Sequence, residues 1–365
     1  MRKSLSFVLL ALCVSALLLI SGPPVESAER NSSATLVKQL KAKIKSLQKQ
    51  LANARRPDNG VASFMPMVRV GYPGHLPDAD DGDANTEGVQ NFGWVPYEFQ
   101  MGKHEVNLAQ YTAFLNAVAA TDTYGLYNAN MEADKRVAGI RRTGVSGSYR
   151  YAVIGGGDRP VTYVSWFDAA RFCNWLHHGR PSGLQTALTT EMGAYSLGGA
   201  TSGVFYARNP GAKCWIPTED EWYKAAYNHP AAEGGPAGAY HTYPMASDTA
   251  PGNLIGGIPN QANMITPNGF YSVTQSEGEV ATTNYLTGGG AYSRSPSFYG
   301  TFDQGGNVWE RNDWILSEEL RGLRGGAWNV GPGAMVWNAR SGVPPEGEYK
   351  DRKSTRLNSS HANIS

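Results

Sequence analysis

Seven histidines, three cysteines and one run of alternating carboxylates are the side chains of this 365-residue chain best suited to hold a metal or attack a substrate. The histidines are His75, His104, His177, His178, His229, His241 and His361. None pairs at the H-x-x-x-H spacing that puts two imidazoles on one helical face. His177 and His178 are adjacent, and adjacent helical positions diverge by about 100°. They therefore do not converge on one ion, and a solvent-exposed helix end is expected there. Cys13 lies in the N-terminal leader, which leaves Cys173 and Cys214. In an oxidising compartment these could form one disulfide, or they could lie buried as two small hydrophobes; both readings stay open. Asp78, Asp80, Asp81, Asp83 and Asn85 alternate in a turn-rich stretch of the kind that presents oxygen ligands to calcium. The closing Glu of an EF-hand is missing, so a solvated turn is expected. The chain has no G-x-S-x-G, no phosphate loop and no basic aromatic stripe. With a net charge of +1, nothing points to nucleic acid as a partner.

The elements that must position these residues fall into three segments. Arg2 and Lys3 precede an apolar run from Leu5 to Ile20, broken by Ser21-Gly22-Pro23-Pro24. This reads as a secretory signal covering residues 1–28, cut after Ser27 or Ala28. The run is short for a span of about 20 apolar residues, and an uncleaved anchor is the alternative. A secreted, periplasmic or cell-surface protein is expected, with no membrane insertion after cleavage. Residues 29–60 carry Val37, Leu40, Ile44, Leu47 and Leu51 in a/d alternation, with Lys38, Lys41, Lys43, Lys45 and Lys49 on the other faces. This predicts a coiled-coil stalk and linker that makes a homo-oligomer through 36–51; a helix lying on the main domain is the alternative.

The main domain spans 61–350. The full chain's 43 glycines, 19 tyrosines and 9 tryptophans against only 17% charged residues suit tight turns and aromatic packing. The apolar spacing predicts helices over Leu108–Val118, Trp166–Leu176 and Glu219–Tyr227. Alternation predicts strands at Tyr97–Met101 and Val161–Val164. The stretches 179–213 and 228–300 read as long loops, and the whole as α+β.

Five segments, in order, then resemble the formylglycine-generating enzyme (sulfatase-modifying factor) family. They are Gly102-Lys103-His104-Glu105-Val106 running to Tyr111 and Phe114, Arg159-Pro160-Val161 running to Ser165-Trp166-Phe167-Asp168-Ala169, Ile216-Pro217-Thr218-Glu219-Asp220-Glu221-Trp222, Gly306-Asn307-Val308-Trp309-Glu310 with Asp313-Trp314, and Arg324-Gly325-Gly326-Ala327-Trp328. The resemblance implies that family's loop-rich variant of the C-type-lectin-like fold. It also implies a structural calcium held by Asn307, Val308 and Glu310, with Asn263 and Met264 starting a second such site. The family's oxidases bind copper through two cysteines shortly after R-G-G-S; the equivalent positions here are about Val330 and Met335, and no cysteine follows Cys214. Soft thiolates are what Cu(I) requires, so no copper centre and no catalytic residues are expected. A related branch that makes sulfoxides uses iron held by histidines of an extra helical domain, for which this chain has no room. The expectation is a non-catalytic binding or structural module with a peptide or glycan ligand; the alternative is a metal-dependent oxidase of the same superfamily, of the formylglycine or sulfoxide synthase type, with a divergent site. Within the motifs, Thr218 and Glu221 form a capping box, Trp166, Trp175, Trp222 and Trp309 are core residues, and Asp168 and Glu310 are expected to satisfy backbone amides.

The segment Asp351 to Ser365 back-translates to a sequencing-adapter sequence read in frame. Residues 351–365 are therefore read as an artefact, with the domain's last strand missing after about Lys350.

Overall fold

The computed structural model describes residues 64–78, 92–351 and 357–359, together with Val37, Lys38, Leu40, Lys41 and Ile44, which are helical. The signal segment 1–28, the seam positions Leu47 and Leu51 and most of the carboxylate run 78–85 lie outside the described residues. Residues 1–55 and 56–365 are separate units, and the described strands and capped helices all belong to the second.

Three helices form where the sequence places capping boxes. In α1 (Leu108–Val118), Asn107 caps the Gln110 amide while the Gln110 side chain returns to the Asn107 amide. A four-residue turn of helix, α2 (Asn130–Ala133), comes next in the chain. In α3 (Trp166–His177), Ser165 and Asp168 exchange the same pair of bonds, and in α4 (Glu219–Tyr227), Thr218 and Glu221 do so. Such a box satisfies two of the amides that a helix start leaves without partners. α1 and α3 pack through aromatic side chains, with Phe114 5.3 Å from Phe172 and 5.2 Å from Trp175 between ring centroids.

The strands are short. Antiparallel β1 (Met67–Val70), β2 (Phe99–Gly102), β9 (Asn358–Ser359) and β5 (Cys214–Trp215) make one sheet, in that order. A hairpin of β3 (Ile140–Thr143) and β4 (Arg150–Val153) lies against α1. β6 (Glu310–Ile315), β7 (Arg321–Arg324) and β8 (Ser341–Val343) form the third sheet. The rest of the described chain is mostly turns and loops, and among the described residues no helix is long and apolar enough to cross a membrane. Trp166, Trp222 and Trp328 are fully buried and Trp175 nearly so, while Trp309 packs partly buried against the same core.

Two sequence expectations differ from the structure. Residues 161–164 form no strand; Tyr163 sits at φ 58°, which breaks the extended conformation that alternation suggests. The His177–His178 step is not a solvent-exposed end, because both rings fold onto backbone: the Lys213 amide donates to His177 Nδ1 at 3.2 Å, and His178 Nε2 lies 2.7 Å from the Met192 carbonyl. Between β2 and β5 the sheet is bridged by Asn358–Ser359. Leu357 beside it is fully buried, and Asn358 Nδ2 donates to Glu221 Oε2 at 3.0 Å, so the segment supplies both an apolar contact and an amide there. Residues 352–356 and 360–365 lie outside the described residues.

One buried carboxyl gives this fold a pH signature. Burial, followed by the charge of Asp168, pushes Glu348 up to about 7, although Asn128 Nδ2 donates to it at 2.5 Å. The native state therefore holds this proton over a range where the unfolded chain, with an ordinary carboxyl, has released it. The Glu348 contribution to stability is full below the ordinary carboxylate range and is lost as pH rises toward 7. The melting temperature is expected to fall by several degrees between pH 5 and 7.5 from this group, and Glu348→Gln to remove that share of the slope. A melt series showing identical slopes for both proteins would refute the assignment.

Candidate functional site

Three loops converge at the end of β7, where the family-like motifs meet. Arg324 ends β7, and Gly325 and Gly326 follow at φ 90° and 74°, values that only glycine adopts without strain. A Cβ on Gly325 would stand 2.4 Å from the Gln304 carbonyl, so the close approach also requires glycine. The reversal lets the Gly306 amide donate to the Gly325 carbonyl at 2.8 Å and the Trp328 amide to the Asn307 carbonyl at 2.9 Å. The third loop joins through Asn307 N to Asn263 O at 2.8 Å and Ile265 N to Val330 O at 3.1 Å.

The structure brings Asn263 and Asn307 into contact. Asn307 Oδ1 accepts from Asn263 Nδ2 at 3.0 Å, from the Thr287 amide at 3.2 Å and from Thr287 Oγ1 at 3.4 Å. Asn263 Nδ2 also donates to the Tyr285 carbonyl at 2.8 Å. Glu310 Oε2 accepts the Trp222 indole N–H at 2.7 Å. Asp168 does take a backbone amide, that of Ser165. Val308 belongs to the main core, and Met264 packs with Met245, Ala262 and Met335 in a small cluster. The oxygen that a calcium ion needs from Asn307 is thus already engaged by three donors, and an ion at this point would displace them. Asp78, at the edge of the acidic run, is buried and accepts from Tyr223 Oη at 2.7 Å.

The two positions that the resemblance sets against the family's cysteines, about Val330 and Met335, lie on the same loop. A Cβ placed on Gly326 would meet Val330 Cγ2 and Met335 Cγ at 3.4 Å each, so both side chains flank one point. They present a hydrocarbon and a thioether, and Met335 is fully buried among apolar neighbours. The set does not fit a dithiolate copper centre. The described thiols are elsewhere: Cys173 on α3 and Cys214 on β5 are free, fully buried and in contact. Burial, then the neighbouring thiol, pushes Cys173 well above the usual thiol range, which makes it a poor nucleophile.

Sequence reasoning passed over an open cleft in the second unit. It has a volume of about 530 Å³ and is lined by Arg69, Gly71, Tyr72, Pro73, Glu98 and Tyr299. Tyr72 is 43% exposed and is anchored by its hydroxyl to Glu233 at 2.7 Å; Tyr299 donates to Asn228 Oδ1 at 2.6 Å. Arg69 of β1 pairs with Glu98, the residue before β2, with Nε to Oε2 at 3.1 Å. Beneath, the buried Lys224 ammonium donates to the Tyr72 carbonyl at 3.1 Å, and burial lowers it to about 8. These residues come from segments far apart in the chain, and no local motif marks them. A smaller charged cleft of about 390 Å³ is lined by Asp134, Lys135, Arg136 and Tyr163 among others.

A family model, described as the sulfatase-modifying factor enzyme 1-like domain, matches residues 78–352. No curated protein matches the chain. Among solved structures the chain is similar to CarF, at 20% identity over 81% of this chain and 98% of that one, with a TM-score of 0.45. It is also similar to Treponema denticola variable protein 1, at 18% identity over 81% and 95% with a TM-score of 0.44. PvdO from Pseudomonas aeruginosa is similar at 15% identity over 81% and 92%, with a TM-score of 0.41.

Proposed function

Because the chain belongs to the family of sulfatase-modifying factor enzyme 1-like domains, we propose that it is a non-catalytic member, an exported module that binds a ligand with loops carried on the family's scaffold. The observation behind this reading is the Val330–Met335 pair. A loop that would supply two thiolates supplies none, and a buried thioether beside a hydrocarbon gives copper no anionic ligand. The Tyr72–Tyr299 cleft is the ligand site. Its tyrosines offer apolar faces and its Arg69–Glu98 pair offers donors and acceptors, a combination suited to a peptide or a glycan. Export through residues 1–28 and self-association through 36–51 would set several clefts on one assembly and multiply a weak affinity.

Arrays of glycans and peptides, probed with the full chain, test the ligand site. A retained ligand class is expected, with affinity falling about tenfold or more in Tyr72→Ala. Arrays that retain nothing, or a Tyr72→Ala variant that binds as the parent does, would overturn the assignment.

A further inference from the structure

Two histidines twelve residues apart in sequence meet with the wrong nitrogens facing each other, unless a cation sits between them. α4 ends at Tyr227, and Asn228 leaves the helix in extended conformation and pairs antiparallel with Tyr240. The His229 amide donates to the Ala239 carbonyl at 2.8 Å and the His241 amide to the Tyr227 carbonyl at 2.9 Å. His229 and His241 are therefore diagonal neighbours on one face of this bridge. Their facing atoms, His229 Nδ1 and His241 Nε2, are 3.1 Å apart.

The outer nitrogens decide where the protons are. His229 Nε2 lies 3.2 Å from the Glu233 carbonyl, and His241 Nδ1 lies 3.2 Å from Asp248 Oδ2. A carbonyl and a carboxylate only accept, so each outer nitrogen carries its ring's N–H. In neutral imidazole the other nitrogen is then a bare lone pair. Two lone pairs consequently point at one another at hydrogen-bond distance, with no hydrogen between them. The arrangement is held from outside: His229 stacks on Phe298 at 4.3 Å between centroids and 19° between planes, and Asp248 is fixed by the Thr242 amide at 2.9 Å.

We propose that His229 Nδ1 and His241 Nε2 chelate a divalent transition-metal ion, with Asp248 orienting His241 from behind. At the usual metal–imidazole distance of about 2.0–2.1 Å, a 3.1 Å separation subtends an angle of about 100° at the metal. That angle lies between the square-planar and tetrahedral values, so a rotation of the two rings that turns both lone pairs to one side of the line between the nitrogens seats copper(II), nickel(II) or zinc(II). A carboxylate on the outer N–H of a metal-bound histidine fixes its tautomer and raises its basicity, and Asp248 stands where that role requires. Water, or a donor from a bound ligand, completes the coordination. The site uses none of the residues invoked for the absent copper centre, and its test is independent of cysteine oxidation.

Zinc titration of the full chain by calorimetry is the test. One zinc ion per chain is expected, with binding abolished in His229→Ala and in His241→Ala and weakened about 10- to 100-fold in Asp248→Asn. Asp248 is more than half exposed, so its substitution leaves the fold intact even if an alanine variant does not fold. His178→Ala should bind zinc as the parent does. No zinc uptake by the parent chain would mean that the cation between the rings is a proton, and would overturn the proposal. So would zinc binding that Asp248→Asn leaves unchanged.

Discussion

A Glu219→Ala variant is expected to lose about 3–5 kcal/mol of folding stability, the largest single-residue effect away from the aromatic core. Glu219 opens α4 and is 4% exposed. Its Oε1 accepts from Arg324 Nε at 2.7 Å, from Arg324 Nη2 and from Arg340 Nε at 3.3 Å, and its Oε2 accepts from Asn312 Nδ2. Arg324 is fully buried, and its Nη1 is bonded to the Trp337 and Ala339 carbonyls at 2.7 Å each. One carboxylate thus neutralises a desolvated guanidinium and ties the start of α4 to β6, β7 and the approach to β8. Removing it strands the Arg324 charge in a low-dielectric interior, where desolvation is no longer offset. Arg141→Ala provides the contrast, because its pair with Glu132 is exposed and worth about 1 kcal/mol or less. Urea unfolding of both variants separates the cases. A Glu219→Ala loss no larger than that of Arg141→Ala would refute the buried-charge account.

Restoring two thiols should restore a soft metal site. Val330 and Met335 flank a single point above Gly326, so the double variant Val330→Cys, Met335→Cys is expected to bind one Cu(I) per chain in competition with a chromogenic chelator. The parent and either single variant should bind none at that loop, because one thiolate does not make the pair. The buried Met335→Cys change also removes side-chain volume, at a cost of about 1–3 kcal/mol, and a thermal melt reads that separately. A folded double variant that ignores Cu(I) would show that the loop does not hold two thiols at a spacing that binds copper.

The features legible in the sequence are those written locally. The three long helices begin where Asn107, Ser165 and Thr218 sit three residues before a side chain that completes the capping box, and α3 overruns its expected end by one residue, at His177. The tryptophans of the motifs are core because large apolar area has few other places to go. The Asn263–Asn307 contact was not legible, because the resemblance assigns the two residues to separate sites and only the path of the loops brings them together. The destination of Glu310 was not legible, because its partner Trp222 lies 88 residues away. Nor was the β3–β4 hairpin, whose exposed arginines and Gly-Ser turn mimic a loop. The cleft residues Tyr72 and Tyr299 and the pair His229 and His241 share this property. Each is ordinary by itself, and only the path of the chain between them makes a site.

The most direct test of the central claim supplies everything an oxidase needs except the missing ligands. The full chain, preloaded with Cu(I), is incubated with oxygen and a cysteine-containing peptide, and oxygen uptake and peptide mass are followed together. The account predicts no conversion of the peptide cysteine above the rate of copper alone. Turnover that depends on the protein would contradict it.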